Sequence, residues 1–295
     1  DKSFSDYFYS KPKADAVADT IQAVLERSRV AIGLMKMSNG EYQGAITDFT
    51  EVAGRFPQNK LAFYNRGLAY AMLSRPTDAI ADFDKALAID IKYRDALLER
   101  AKCKNEISDF TGALKDIDSY LAQDAGNVIA LTFRGEVKMN TKDYNGAVAD
   151  FNQTISINPQ FVLGFVNRGI AKMFMGDTQA ALLDFHTAIG IDPQNPIAYF
   201  KRGQARYTLS DYNGALSDFT KALELKPADK YTVLYIGITK AALSNHLEAI
   251  AAYEKALTLD KNFREAWYRK GISKIARKDF LGAIVDLETA INIYP

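Results

Sequence analysis

Two nearly identical phrases carry the most suggestive chemistry in the chain, DYNGAVADFNQTISINP over 143–159 and DYNGALSDFTKALELKP over 211–227. Asp-x-Asn-Gly resembles the opening of a calcium loop, where alternating carboxylates and amides wrap a hard cation in oxygen. Such a loop needs an oxygen ligand at its fifth position and glycine at its sixth. Here Ala147 holds the fifth and the glycine is displaced, so the spacing defeats the calcium reading. His186 and His246, the two histidines, stand far apart with no cysteine or second histidine nearby, which argues against a transition-metal site. The chain has no glycine-rich phosphate loop, no HExxH and no nucleophile elbow. Cys103 falls in a helical stretch and reads as inert. Asn152-Gln-Thr154 is a formal glycosylation triplet of the kind chance supplies. No catalytic residue, metal or cofactor is expected.

One further set of charges could act as a site. Arg66, Arg100, Arg134, Arg168, Arg202 and Lys270 form a regular row that would suit an anion-binding strip. A matching row of acids, Asp48, Asp82, Asp116, Asp150, Asp184, Asp218 and Asp286, offers the alternative of internal ion pairs. Choosing between them requires the elements that carry both rows.

Those elements repeat. Gly33, Gly67, Gly135, Gly169, Gly203, Gly237 and Gly271 lie on a lattice of 34 residues, with Ala101 in the one gap. Ala45, Ala79, Ala113, Ala147, Ala181, Ala215, Ala249 and Ala283 form a second lattice, and a large apolar residue follows four places on, as at Phe49, Phe83 and Phe219. Each period reads as two helices: PIAYFKRGQARYTL keeps apolar residues at helical spacing, Ser210-Asp211 breaks it, and YNGALSDFTKALEL resumes it before Pro227. Glu41, Asp109, Asp143, Asp177, Asp211, Asn245 and Asp279 stand where a second helix needs a side chain to cap its free N–H groups. In the second repeat Arg75 takes that place and Pro76 supplies the first helical turn. Pro57, Pro159, Pro193, Pro227 and Pro295 mark where second helices stop.

Composition fits such an array. The 295 residues are 48% hydrophobic and 25% charged, and the net charge of +1 lacks the basic excess of a dedicated nucleic-acid binder. No apolar run approaches the roughly 18 residues of a membrane span. A single cysteine leaves no internal disulfide framework.

The lattices resemble the tetratricopeptide repeat, a helix–turn–helix unit of 34 residues with small residues at its eighth and twentieth positions and proline at its thirty-second. The resemblance implies an all-α, right-handed superhelical solenoid of eight repeats: 26–59, 60–93, 94–127, 128–161, 162–195, 196–229, 230–263 and 264–295, after a leader and helix extension at 1–25. One departure is that arginine mostly precedes the glycine, where the family has leucine. The pentatricopeptide family, which reads RNA, has a 35-residue period that this register excludes.

In these repeats the bases hold the seventh position and the acids the twenty-third. The seventh repeat lacks both, having Ile236 and Ala252, and within repeats the one mismatch is Ile32 with Asp48. Pairing each acid with the following repeat's base produces two mismatches, Asp218 with Ile236 and Ala252 with Lys270. The sequence therefore favours ion pairs within repeats.

Function is expected on the concave face built by the first helices, where the family's ligand-facing positions are the second, fifth, sixth, ninth, twelfth and thirteenth. The candidate partner-binding residues are Tyr64, Asn65, Lys102, Phe174, Phe200, Lys201, Gln204, Tyr207, Tyr231, Tyr235, Tyr268 and Arg269. An aromatic groove with a few polar groups suits an extended peptide or a partner helix. The carboxylate clamp of chaperone-linked members needs Lys at the fifth and Asn at the ninth position of one repeat, and no repeat here has either. The expectation is a non-enzymatic scaffold for a protein or peptide partner, with no nucleic acid and no membrane insertion. The alternative is an assembly module acting through the array ends, self-associating through an uncapped C-terminal end rich in apolar residues, as in LGAIVDLETAINIYP. That end stops without a polar cap, so the native chain is expected either to continue or to dock there. Residues 1–12, DKSFSDYFYSKP, read as a disordered leader, a strap on the first repeat or a segment for a neighbour's groove. A start at Asp1 reads as a trimmed N-terminus and leaves cytoplasmic and exported locations open.

Overall fold

The computed structural model describes residues 11–293, with side chains from Thr20 onward. The aromatic stretch at 1–10 and the closing Pro295 lie outside the described residues. Among the described residues there are sixteen α-helices and no strand: α1 (Lys11–Ser38), α2 (Tyr42–Arg55), α3 (Lys60–Met72), α4 (Pro76–Ile89), α5 (Arg94–Glu106), α6 (Phe110–Leu121), α7 (Val128–Asn140), α8 (Tyr144–Ile157), α9 (Val162–Phe174), α10 (Thr178–Ile191), α11 (Pro196–Thr208), α12 (Tyr212–Leu225), α13 (Lys230–Ala242), α14 (His246–Leu259), α15 (Arg264–Ala276) and α16 (Phe280–Ile293). Each repeat is one pair of them. α1 runs unbroken through the 25/26 boundary. The chain divides into two compact parts, up to Ala130 and from Leu131 onward.

Within a repeat the first helix ends on a residue in the left-handed region. Gly40 and Gly176 adopt it with φ of 77° and 85°, and Ser210 takes the equivalent place in α11–α12 at 62°. The Ser210 amide then bonds the Tyr207 carbonyl at 2.9 Å and the Asp211 amide reaches back to Arg206 at 2.9 Å, closing the helix end. Asp211 next accepts the Gly214 amide at 2.9 Å, and Asp143 accepts that of Gly146 at the same distance. The Asp-x-Asn-Gly phrases are thus helix caps. Glu41 corrects the capping expectation: it makes no side-chain cap bond, and Asn39 donates to its carboxylate instead. Its extra methylene carries the carboxylate past the amides that a shorter aspartate reaches.

The two helices of a repeat meet where a glycine faces a ring. A Cβ added at Gly203 would lie 2.7 Å from Phe219 Cε1, and one at Gly135 would lie 2.5 Å from the same atom of Phe151. The third repeat has Ala101 and, opposite it, the smaller Ile117, and both are fully buried. The rings also reach the next repeat, since Phe151 clusters with Ala171 and Phe185 with Ala205. The alanine lattice from Ala45 to Ala249 is fully buried, and Ala283 is 1% exposed.

Beside this contact lies the charge ladder. Arg66 grips Asp82 through Nε at 2.6 Å and Nη2 at 2.7 Å, and Arg202 grips Asp218 the same way at 2.9 and 2.7 Å. Arg100–Asp116, Arg134–Asp150, Arg168–Asp184 and Lys270–Asp286 complete the row within repeats. The acids are 2–4% exposed, and such burial is stable only when the charge is paired and hydrogen-bonded. Two features go beyond the sequence reading. A second base at the eleventh position closes on most of these carboxylates, as with Lys104–Asp116 at 2.8 Å, Lys172–Asp184 at 2.8 Å and Arg206–Asp218 at 2.9 Å, whereas the second repeat has Tyr70 there and Arg66 is the first-helix base on Asp82. The first repeat, which has Ile32 at the seventh place, holds Asp48 through Lys36 at 2.6 Å and Arg29 at 3.2 Å. The other feature is that the guanidinium also reaches backward. Arg66 Nη1 donates to Thr50 Oγ1 at 3.0 Å, Arg100 pairs with Asp84 at 2.5 Å, and Arg168 donates to Asn152 at 2.7 Å. Each of these arginines therefore ties its own second helix to that of the preceding repeat.

The buried acid fixes the order of mutational costs. Arg202→Leu leaves Asp218 with Arg206, whereas Arg202→Leu with Arg206→Leu strands a buried carboxylate and should cost about 3 kcal/mol or more. Adding Asp218→Leu should recover much of that loss. Chemical denaturation of the three variants reads this coupling, and additive effects would refute it.

Candidate peptide-binding site

α11 begins at Pro196, and Asn195 caps it by accepting the Ala198 amide at 3.0 Å. α13 is capped by Asp229, which accepts the Thr232 amide at 3.0 Å. These caps fix the entry of two consecutive first helices against α12, and a cavity of about 380 Å³ opens among the three. Pro196, Ile197, Phe200 and Gln204 line it from α11, Ala222 and Lys226 from α12 and its end, and Asp229, Tyr231, Thr232 and Tyr235 from α13 and its cap.

The aromatic rings divide into framework and free surface. Phe200 sits 5.6 Å from Phe219 and 5.2 Å edge-on from Tyr235, and Tyr235 in turn sits 5.4 Å from Phe219. That triangle joins the cavity wall to the glycine-facing ring of the repeat. Tyr231 touches Phe263 at 5.4 Å yet is 53% exposed, so it presents a face to solvent. The polar groups are few. Lys226 pairs with Asp229 at 3.6 Å at the exposed edge. Gln204 accepts a hydrogen bond from Lys201 Nζ at 3.1 Å, and that ammonium lies 5.5 Å from the Phe200 ring centre. Burial pushes the Lys201 pKa down, because the charged form loses water that one amide oxygen does not replace.

The remaining candidates stand elsewhere. Tyr64 packs on Phe83 and Tyr93 at 5.9 and 5.0 Å, and burial pushes its hydroxyl pKa up. Asn65 is buried and donates to the Leu61 carbonyl at 2.8 Å, so its amide is spent within its own helix. Lys102 pairs with Glu99 at 2.7 Å. These three belong to the part of the chain before Leu131. Phe174 stacks flat on Tyr144 at 5.3 Å, and Tyr207 leans on Tyr212 at 5.3 Å. Tyr268 lines a separate hollow with Leu287 and Ile291, and Arg269 pairs with Glu265 at 2.6 Å. The structure thus brings together Phe200, Gln204, Tyr231 and Tyr235, with Lys201 against Gln204. Sequence reasoning missed Ala222, Lys226 and Asp229, because it looked at first helices alone while the wall includes the end of α12 and the following turn.

Among the described residues no group of three His, Cys, Asp or Glu side chains is placed to hold a metal ion, and no helix is long and apolar enough to cross a membrane. Cys103 is 3% exposed and burial pushes its thiol up to about 11, which keeps it protonated and unreactive.

Family models described as tetratricopeptide repeat match residues 30–94 and 166–230, and others of the same description match 129–161 and 236–263. Over 77 residues the chain is 32% identical to the heat shock protein sti1 homolog of Schizosaccharomyces pombe, a match covering 26% of this chain and 13% of that protein. The crystal structure of a tetratricopeptide repeat protein from Parabacteroides merdae aligns with a TM-score of 0.70 at 17% identity, over 88% of this chain and 99% of that one. YrrB, described as a TPR protein with an unusual peptide-binding site, aligns with a TM-score of 0.50 at 17% identity, over 61% of this chain and 92% of that one. At these identities the structural likenesses concern the fold.

Among the described residues no carboxylate pairs with the half-buried Lys201 ammonium, and its burial is a cost to the free protein. Lys201→Met should therefore raise the melting temperature at neutral pH. The gain is full below the lowered lysine pKa and fades as pH rises from there to the value of the unfolded chain. Thermal melts across that range check the sign.

Proposed function

The chain belongs to the tetratricopeptide repeat family, and on that premise we propose that it is a non-enzymatic scaffold that holds an extended segment of a partner protein along the first helices of its repeats. The 26–295 array is the binding body in this reading, and the cavity among α11, α12 and α13 is its principal contact. The observation that carries the proposal is the convergence of Phe200, Gln204, Tyr231 and Tyr235 on one cavity. Rings packed into a framework on one side and open on the other lose little conformational entropy when a ligand covers them. The peptide-binding site in the description of YrrB, which shares the fold, supports the same use of the scaffold. Phe174, Tyr207, Tyr268 and Arg269 remain in the proposal as further contacts in the same part of the chain, and Lys102 as a contact of the part before Leu131.

Tyr231→Ala removes a ring that is 53% exposed and should leave the fold nearly as stable as before. Affinity capture with purified wild-type protein should retain a partner that the Tyr231→Ala variant loses. Equal capture by both proteins would remove the cavity from the reading.

A second reading rests on the outer face of α16. Ile284 and Ile291 are 52% and 60% exposed, whereas Ile46 and Leu257 at the equivalent places of earlier repeats are 5% and 7% exposed. Ile21, Val24 and Leu25 on α1 are also more than half exposed, at 55%, 57% and 52%. A second helix exposed at one end and a first helix exposed at the other are the two kinds of surface that meet between successive repeats. In this reading copies of the chain stack end to end, and Ile284→Asp with Ile291→Asp should abolish self-association in light scattering. A wild-type chain that stays monomeric at high concentration would dismiss it.

A further inference from the structure

Lys201 differs from the other half-buried bases of the first helices. Lys104 and Lys172 each close on a buried aspartate at 2.8 Å, Arg206 on Asp218 at 2.9 Å, and Lys240 on Glu248 at 2.7 Å. The recorded contacts of Lys201 are one amide oxygen, Gln204 Oε1 at 3.1 Å, and the Phe200 ring. The residue holding that oxygen lines the cavity, so the ammonium stands one side chain from its apolar walls. Ile197, Phe200, Ala222, Tyr231 and Tyr235 supply those walls, and a volume of about 380 Å³, near the lower end for ligand pockets, suits one bulky side chain with its adjoining backbone.

We propose that this site recognises an acidic–hydrophobic segment within a partner chain, seating a Leu, Ile, Met or Phe side chain in the cavity while a neighbouring Asp or Glu side chain takes the place of water against Lys201. The proposal rests on the peptide-scaffold reading above and names the chemistry of its ligand. Charge complementarity selects the acid: a carboxylate supplies the counter-charge that burial makes valuable and that the neutral amide oxygen of Gln204 lacks. The geometry favours an internal side chain over a chain terminus. A terminal carboxylate presents two oxygens at a fixed point and calls for several converging donors, whereas the donor here is one ammonium already shared with Gln204. An acidic side chain adapts its own torsions to that single donor.

The test is a selection of random twelve-residue peptides, displayed internally in a carrier loop, on the purified full chain, on Lys201→Met and on Tyr231→Ala. Wild-type protein should enrich peptides with Asp or Glu within two residues of a large apolar residue. Lys201→Met, which the desolvation argument expects to fold at least as well, should keep the apolar preference and lose the acidic one. A selected peptide should lose about tenfold or more in affinity on Glu→Gln or on Lys201→Met, and combining the two should add little. Apolar enrichment with no acidic preference would overturn the proposal and leave the peptide scaffold standing. So would binding confined to peptides with a free C-terminal carboxylate, tried as a separate synthetic arm. If no peptide is enriched by either variant or the wild type, the scaffold reading falls and the proposal with it.

Discussion

The contact on which the rest of the structure depends is a ring lying where a Cβ would otherwise be. Phe49, Phe83, Phe151, Phe185 and Phe219 press against the glycine of their own repeat, and Tyr253 does so against Gly237. Because the glycine contributes no side chain, the two helices approach closely and the ring is fully enclosed. The alanine lattice extends the same close approach along the pair. The contact varies in two repeats: in the third Ala101 and Ile117 replace both partners, and in the eighth Gly271 is kept and Leu287 replaces the ring. Each repeat thus presents its neighbour with a surface of nearly constant shape, and stacking follows from that constancy.

The charge ladder solves a problem created by this packing. A helix pair this close leaves the twenty-third position with almost no water, yet an aspartate stands there in seven repeats. In the third to sixth repeats and the eighth, two bases from the first helix, one turn apart, satisfy its oxygens, and Arg66, Arg100 and Arg168 each keep one arm for the preceding repeat. A row of cations that resembled an anion-binding strip is therefore consumed internally. A buried cluster of this kind adds little net stability compared with apolar packing, but it penalises any register that separates its members. That penalty ties helix pairing within repeats to stacking between them.

The same logic explains why the cavity among α11, α12 and α13 draws attention. In a framework where half-buried bases carry acids, a lysine held by an amide is an exception. Where rings fill junctions, a tyrosine more than half exposed is another. Both exceptions fall on the first helices, where the repeats differ from one another, and both belong to one cavity, which Tyr231 lines and Lys201 reaches through Gln204. Sites in repeat proteins are legible as departures from the repeat, because the repeated positions are fixed by stacking and leave the others available.

The sequence by itself determined the period, the two helices of each repeat and the pairing of the seventh with the twenty-third position. These follow from spacing alone, since residues at helical intervals share a face and eight copies average out local noise. The aspartate caps were legible for the same reason, and Glu41 failed because a cap depends on side-chain length as well as charge. Only the tertiary structure decided which candidates meet. Asn65 has the right position but turns its amide to Leu61, and Lys226 and Asp229 join the site from the end of α12 and the cap of α13. The second base on most of the buried aspartates also emerged only in three dimensions, although Lys104, Lys138 and Lys172 share its spacing in the chain. The physical reason is that a repeat fixes where a side chain starts, while burial, rotamer and the neighbours across the junction decide where its polar end finishes.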